Sequence, residues 1–485
     1  MIFVRHSGND PESLYPLKSM QPKIDLEFWS EHTKGLCPTC LRETPAVLFR
    51  ENTKIWIEQD CLIHGKAKAL IADDADEYLR LRQYVPPRVS SCCCGPGETC
   101  EKGKPPTCVL LLEITQACNL ACPTCYADAR GHDYMTLAEA RERLDKFFAK
   151  QPLLDVLMIS GGEPTIHPAF IEILDLVLSY PINRVLINTN GLRIAQSESL
   201  VAELVKRRHR IELYLSFSSF SQETHVRLYG KDIRAQKADA FRIAEKAAIF
   251  VNVVATLQCG VNDHELGDLF RFCLATSNIC GLVLQPVMDT GRYLNDYDPL
   301  ERTTLTGAIA KLCDQSNGML VAADFVGLPC SHPDCAALTY GFLDKSRTVM
   351  SPLPRYLDIS NYVDLFADRI SFCGLLSSVI QRIFHDLTIG RGWSAVTDII
   401  NVLAVPTIRN ILPLIGNPDR IGRRVFRVVV KPFMDAQTFD FARVDQCCTK
   451  IVDSSGEAVS FCEYNIFQRG RKVGRSGISL PMAKS

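Results

Sequence analysis

The sequence predicts an α/β chain: a partial, TIM-like parallel (β/α)6 barrel, preceded by a small cysteine-rich metal-binding domain and followed by a cysteine-containing α+β extension. Three observations carry this prediction. Between residues 109 and 286, apolar runs alternate with helical stretches, the pattern of repeated βα units. Three thiols, Cys118, Cys122 and Cys125, stand on the loop that leaves the first run, and a Gly161-Gly162-Glu163-Pro164 turn leaves the second. Most of the other cysteines, of 21 in all, gather in short irregular stretches before and after this core. At 485 residues the chain exceeds the size at which one core usually stops growing, so two to four domains are expected. The boundaries are drawn at 1–108, 109–290 and 291–485.

In the leader, Cys37-Pro-Thr-Cys40 has the spacing of a metal knuckle, and residues 46–49 and 55–57 read as a short hairpin. Cys61-Leu-Ile-His64 then offers a second pair of ligands. Such spacing suits a small tetrahedral site filled by zinc or by a single rubredoxin-type iron, with the fourth ligand left open. Five more thiols, Cys92, Cys93, Cys94, Cys100 and Cys108, lie in a Gly- and Pro-rich connector. One of Cys92, Cys93 and Cys94 is a candidate to complete the upstream site. The others, with Cys100 and Cys108, are expected to hold an auxiliary [4Fe-4S] cluster.

The core reads as six strands, beginning at 109–112, 155–160, 184–188, 211–217, 251–257 and 281–286. Thr136 and Glu139 form a capping box that opens a helix. Three thiols cannot fill the four iron positions of a cubane cluster, so one iron stays open to a ligand. Spacing alone leaves a zinc loop or three buried thiols as alternatives. At the second strand end the glycines let the backbone approach a ligand and Glu163 supplies an anionic acceptor, and it is the resemblance carried by both strand ends together that decides against them.

C-x3-C-x2-C with Tyr126 beside the last cysteine, followed one βα unit later by Gly-Gly-Glu-Pro, resembles the radical SAM superfamily. The resemblance implies a [4Fe-4S] cluster with an open iron, held by Cys118, Cys122 and Cys125, and S-adenosyl-L-methionine (SAM) chelated to it. It also implies contacts to the cofactor from Tyr126, from Gly161, Gly162, Glu163 and Pro164, and from Asn188, Asn190, Ser216 and Gln285 at later strand ends. Val253 and Asn262 are weaker candidates. Asn and Ser also favour turns for local reasons, so the alternative for Asn188, Asn190 and Ser216 is turn capping.

With Cys37-Pro-Thr-Cys40, Cys61-x-x-His64-Gly, Leu257-Gln-Cys-Gly-Val-Asn262-Asp263-His264-Glu265 and the cysteine-rich tail, the chain is similar to a cysteine-rich branch of that superfamily. The branch includes the archaeal tetraether lipid synthase and proteins described as pterin methyltransferases. Ser218-Ser219 replaces an Asp-Gly pair of many relatives, and the connector is longer than theirs.

In the tail, Cys330, Cys335, one of Cys447 and Cys448, and Cys462 are expected to hold a second auxiliary [4Fe-4S] cluster, the later ones flanking a hairpin at residues 453–456. Cys259, Cys273, Cys280, Cys313 and Cys373 lie in periodic apolar segments and read as plain core thiols. Residues 373–434 are rich in Ile, Leu and Val with arginines among them, including Arg409, Arg420, Arg423, Arg424 and Arg427. No apolar run there is long enough to span a bilayer. Core-packing helices are the first reading; a wall for acyl chains or a membrane-surface face is the second.

A net charge of -1 argues against whole-protein attraction to nucleic acid. The amino-terminal stretch shows no secretory pattern, which predicts a cytoplasmic protein, with peripheral membrane contact as a further option. The expected partners are a reductant such as ferredoxin or flavodoxin and a lipid or small-molecule substrate. The expected function is reductive SAM cleavage and hydrogen abstraction from an unactivated carbon, for carbon–carbon coupling of lipid tails. The alternatives are radical methyl transfer to a pterin or other small molecule, and a non-catalytic zinc and iron–sulfur electron carrier. The last leaves the Gly-Gly-Glu-Pro turn unexplained.

Overall fold

Strand-period alternation builds the first domain. β1 (Ser30–Leu36), β2 (Glu43–Glu51), β3 (Lys54–Cys61) and β4 (Gly65–Ala72) form an antiparallel meander in that order. In β3, Ile55 and Ile57 are buried while Lys54 and Asp60 are exposed, the pattern of a half-covered sheet. α1 (Ala75–Arg82) follows, capped by Asp74, which accepts from Glu77 N at 3.0 Å. The computed structural model describes residues 28–83, 105–292, 297–328, 330–356 and 423–469. Cys92, Cys93, Cys94, Cys100 and Cys373 lie outside the described residues, as do Arg409, Arg420 and most of the Ile/Leu-rich tail.

The six expected core strands are β5 (Val109–Thr115), β6 (Leu154–Gly161), β7 (Ile182–Thr189), β8 (Ile211–Ser216), β9 (Val251–Leu257) and β10 (Ile279–Pro286). Each pairs in parallel with its sequence neighbour. Every residue of β5 and β6 is buried, as a sheet covered on both faces requires. Leu110, Leu112, Leu157, Ile159, Val185 and Ile187 pack outward among the helices. Val109, Leu111, Val156, Met158 and Leu186 face the barrel interior and belong to a separate apolar cluster.

The helices are α2 (Leu137–Lys150), α3 (Phe170–Leu178), α4 (Leu192–Gln196), α5 (Glu198–Arg207), α6 (Gln222–Tyr229), α7 (Arg234–Lys246), α8 (Leu266–Ala275) and α9 (Leu305–Gln315). α2 opens with the expected Thr136–Glu139 capping box.

The extension finishes the sheet. β11 (Val326–Gly327), β12 (Ala337–Leu343) and β13 (Met350–Pro352) are antiparallel additions, whereas β14 (Val425–Val430) pairs in parallel with β10. β15 (Thr449–Val452) pairs in parallel with β5 and in a hairpin with β16 (Ala458–Ser460). Both edges of the six-strand core therefore gain a parallel strand. The chain between β14 and β15 runs from one edge to the other, and Lys431 Nζ donates to Thr449 Oγ1 at 2.6 Å. The first domain docks on this crossing segment, with Thr33 Oγ1 donating to Asp440 Oδ1 at 2.6 Å. Among the described residues no helix is long and apolar enough to cross a membrane.

Candidate active site and metal centres

β5 and β6 end side by side, and their two loops are clamped together by backbone. Gly162 N donates to Thr115 O and Glu163 N to Ala117 O, each at 2.8 Å. Gly161 adopts φ 129°, and a Cβ there would stand 2.2 Å from Thr115 O. On Gly162 a Cβ would stand 2.1 Å from Ala117 O, so both positions require glycine. This contact seats the loop of Cys118, Cys122 and Cys125, all half-buried, at the carboxyl end of the strands.

Burial pushes the Cys122 thiol up to about 12 and raises Cys118, so metal capture here must expel protons. The three sulfurs do not converge within 4.8 Å of one another. Each thiolate of a cubane binds a different iron, so this wider spacing fits a [4Fe-4S] cluster better than a single ion.

Glu163 is 1% exposed. Its Oε1 accepts from Thr165 N at 3.2 Å, Thr165 Oγ1 at 2.5 Å and Thr189 Oγ1 at 2.7 Å, while Oε2 accepts from Asn190 N at 2.7 Å. Each carboxylate oxygen has about two acceptor positions, so Oε1 is fully taken by its three donors while Oε2, with one, keeps room for one more. Pro164 starts the short turn that follows. Asn190 Nδ2 donates to Asn119 Oδ1 at 2.6 Å, tying the third strand end to the thiol loop. Its Oδ1 also accepts from Leu192 N at 3.0 Å, the turn-capping role.

Asn188 Nδ2 donates to Ser160 Oγ at 3.0 Å, and burial pushes the nearby Tyr126 hydroxyl up to about 12 against the opposing pull of these two side chains. Gln285 Nε2 donates to Tyr214 OH at 2.8 Å. The inner barrel thus carries a polar upper layer of Tyr126, Ser160, Asn188, Tyr214, Ser216 and Gln285 over an apolar lower one. Asn262 instead braces the fourth and fifth strand ends, its Nδ2 donating to Ser218 O and Thr256 O at 2.8 Å. Val253 packs outward in the helix-facing core.

The sequence reading did not name Lys237. It lies in the buried stripe of α7 with Ala240, Phe241 and Ala244, a place where the helical period expects an apolar residue. That misplaced charge was its signal. Fully buried, its Nζ donates to Asn190 O at 2.6 Å and Ser216 Oγ at 2.9 Å, and it also reaches Ser216 O. Burial lowers its pKa to about 7 against the opposing pull of Cys122 and Glu163.

Two further metal-ligand groups are formed. Cys37, Cys40, Cys61 and His64 converge within 4.8 Å. Cys37 Sγ lies 3.5 Å and Cys61 Sγ 3.6 Å from His64 Nδ1, with Cys40 and Cys61 sulfurs 4.0 Å apart. These separations suit a tetrahedral Cys3His site. His64 stands at the fourth position left open by the sequence, while Cys92, Cys93 and Cys94 lie outside the described residues. Backbone N–H groups of Ile63 and His64 lower the Cys61 pKa to about 6.

Cys108, Cys330 and Cys448, all buried, form the second group, with 3.5 Å between the Cys330 and Cys448 sulfurs. Thiol hydrogen bonds from Cys108 and Cys330 hold Cys448 well below its ordinary value, while Cys108 is pushed up. The expected partition is corrected here: Cys108 joins tail cysteines. Cys335, Cys447 and Cys462 form a separate, looser neighbourhood around Arg443. Adjacent residues of an extended chain point opposite ways, which separates Cys447 from Cys448. The turn Pro333–Cys335 likewise parts Cys335 from Cys330. Cys108 and Cys448 precede β5 and β15, with Cys108 N donating to Cys448 O at 2.9 Å, so this group lies at the barrel end opposite the thiol loop. Of the expected core thiols, Cys273 is buried and Cys280 and Cys313 half-buried, but Cys259 is exposed in the turn after β9.

Comparison with known proteins adds to this picture. Residues 112–273 match the radical SAM superfamily, and residues 29–73 match the HMPTM N-terminal zinc ribbon domain. The chain is 26% identical to the 7,8-dihydro-6-hydroxymethylpterin dimethyltransferase of Methanocaldococcus jannaschii, covering 92% of this chain and 96% of that protein. A probable GTP 3′,8-cyclase of Pyrococcus horikoshii is 26% identical over 40% of this chain, which spans 62% of that protein's length. Among solved structures, SAM-bound SuiB of Streptococcus suis aligns at 17% identity and TM-score 0.33, covering 41% of this chain and 44% of that one. A radical SAM methyltransferase from Sphaerobacter thermophilus aligns at 13% identity and TM-score 0.30, covering 60% and 74%.

Proposed function

The chain is an enzyme of the radical SAM superfamily with a zinc ribbon ahead of its barrel, and from that premise we propose that it cleaves SAM reductively to abstract hydrogen from an unactivated carbon of a substrate inside the barrel. The observation that carries this reading is the backbone clamp between the Cys118–Cys122–Cys125 loop and the Gly161-Gly162-Glu163 turn. It places three thiols and a carboxylate with spare acceptor capacity at one barrel mouth. When bound, a reduced [4Fe-4S] cluster and SAM supply the electron and the 5′-deoxyadenosyl radical. The chain supplies position. Cys118, Cys122 and Cys125 would hold the cluster, leaving one iron for the methionine end of SAM. Glu163 Oε2 would accept from its ammonium, and Lys237 fixes Asn190 and Ser216 beside it. Tyr126, Asn188 and Gln285 line the way to the substrate.

For the substrate, carbon–carbon coupling of lipid tails is the first reading; the inner residues Val109, Leu111, Val156, Met158 and Leu186 are themselves packed with the chain's own Phe439, Phe461 and Ile466, so a tail would have to displace these side chains. A second reading, radical methyl transfer to a pterin or other small molecule, is supported by the relative from Methanocaldococcus jannaschii that aligns over nearly the whole chain. The polar layer of Tyr214, Asn188 and Gln285 also suits a compact heterocycle. Product mass separates them. Coupled tails lose hydrogens without gaining carbon, whereas methyl transfer adds about 14 mass units per event, with S-adenosylhomocysteine formed if a second SAM gives the methyl.

A further inference from the structure

One flank of the thiol loop is covered by the turn between α6 and α7. Thr124 Oγ1 donates to Leu228 O at 3.2 Å, and a Cβ on Gly230 would stand 3.4 Å from Ala121 O and 3.5 Å from Pro123 Cδ. Under this turn, Leu120, Leu192, Leu228, Tyr229 and Ile233 form a small apolar cluster against which Cys118 and Cys122 pack. Ala121, Pro123 and Gly230 themselves are exposed. A thin layer of side chains therefore separates two of the three cluster ligands from solvent on this face.

The same face has the make-up of a transient interface. Phe220 and Val226 are 40% and 47% exposed and give it an apolar centre. A hollow of about 570 Å³ opens beside them, lined by Gln222, Glu223, Val226 and Arg227. Arg227 and Glu223 line it, Arg234 donates to Gln222 Oε1 at 3.2 Å and to Phe220 O at 3.3 Å, and the exposed Lys231 and Asp232 follow Gly230 in the same turn. Asp232 is taken by Arg234 at 2.9 Å, so the remaining balance is positive. A small apolar patch within a charged rim suits short-lived docking, where complementary charge sets the rate of encounter.

We propose that the α6–α7 face docks an acidic, low-potential, one-electron carrier protein of the flavodoxin or ferredoxin class, which reduces the cluster held by Cys118, Cys122 and Cys125. The inference rests on the radical SAM reading and adds where the electron enters. The carrier is oxidised by one electron, which the cluster accepts, and no covalent bond changes in that step.

The test uses the full-length, iron-loaded protein and the double variant Arg227→Glu/Lys231→Glu. Three electron sources are compared: dithionite, flavodoxin hydroquinone and reduced ferredoxin. 5′-Deoxyadenosine formation is measured with each, and carrier binding is measured separately by titration calorimetry at low and raised salt. The variant is expected to lose about tenfold in rate with a protein carrier at low salt and to bind that carrier correspondingly more weakly. Its dithionite-driven rate should match wild type, and the difference should shrink as salt rises. Equal rates and equal binding for variant and wild type would overturn the proposal. So would a wild type that turns over with dithionite but with neither carrier. Absence of 5′-deoxyadenosine from the wild type with dithionite would instead remove the functional reading on which docking rests. Should the double variant lose its iron, Lys231→Glu alone, at an exposed position, carries the same comparison.

Discussion

Two sets of three thiols stand at opposite ends of β5, one before its first residue and one after its last. Cys118, Cys122 and Cys125 come from eight consecutive residues of one loop, are half-buried, and open toward the polar layer of the barrel mouth. Cys108, Cys330 and Cys448 are fully buried, drawn from three distant stretches of chain, and meet only because β15 joins β5 in the sheet. The first set belongs to a site that must admit a ligand. Buried as it is, the second can store or pass an electron or hold the fold, but cannot meet a substrate at the other end of a seven-residue strand, about 20 Å away.

The largest expected effect breaks the two apart. Cys118→Ala, Cys122→Ala or Cys125→Ala should bring 5′-deoxyadenosine formation to background while the ribbon and the buried set keep their metal, as read by anaerobic iron, zinc and sulfide analysis. Parallel loss of all metals would mean that the sites are not independent.

Lys237→Met comes next. It strips Asn190 O and Ser216 of a buried donor, a loss worth about 1–3 kcal/mol, so SAM should bind at least about fivefold more weakly. Iron content should be unchanged, and Lys237→Arg should recover part of the affinity. SAM affinity equal to wild type in the Met variant would make Lys237 purely structural.

Cys448→Ser acts on the other end. It should lower the melting temperature by roughly 5 °C, for a cost of about 2 kcal/mol, and remove the metal of the buried set while the spectrum of the loop cluster persists. As placed, those sulfurs converge like ligands of a single ion, so a cubane there would have to spread them. Total iron per chain decides between the two.

The smallest effect is a pH slope. Cys61, lowered to about 6, is a thiolate at neutral pH, whereas Cys122, raised to about 12, is a thiol. Metal entering the loop must displace a proton from Cys122 that Cys61 has already given up. Between pH 8 and 6.5, chelator competition should therefore show loop metal weakening more steeply than ribbon metal, by about one proton per site.

What the sequence disclosed follows the same division. The thiol loop, the Gly-Gly-Glu-Pro turn and the six core strands were legible because each is local: a few residues of spacing, a buried apolar run, a glycine where a Cβ would collide. His64 was legible as a candidate but not as the fourth ligand, which depends on how β3 and β4 turn. β14 and β15 could not be read as barrel strands. Each is a short Val- or Ile-bearing run whose parallel partner lies more than a hundred residues away, and pairing at that separation leaves no local periodicity. The thiol partition failed for the same reason, since Cys108 meets Cys448 only through that pairing. Lys237 left a trace in the helical period of α7, a charge on the buried stripe, which only the packing explains.

The central claim, that the barrel mouth is a radical SAM site, is tested most directly by anaerobic incubation of the iron-loaded wild-type protein with SAM and dithionite, with both cleavage products quantified. The account predicts 5′-deoxyadenosine and methionine in equal amounts. A protein whose cluster is visibly reduced by electron paramagnetic resonance, yet which leaves SAM intact, would contradict it.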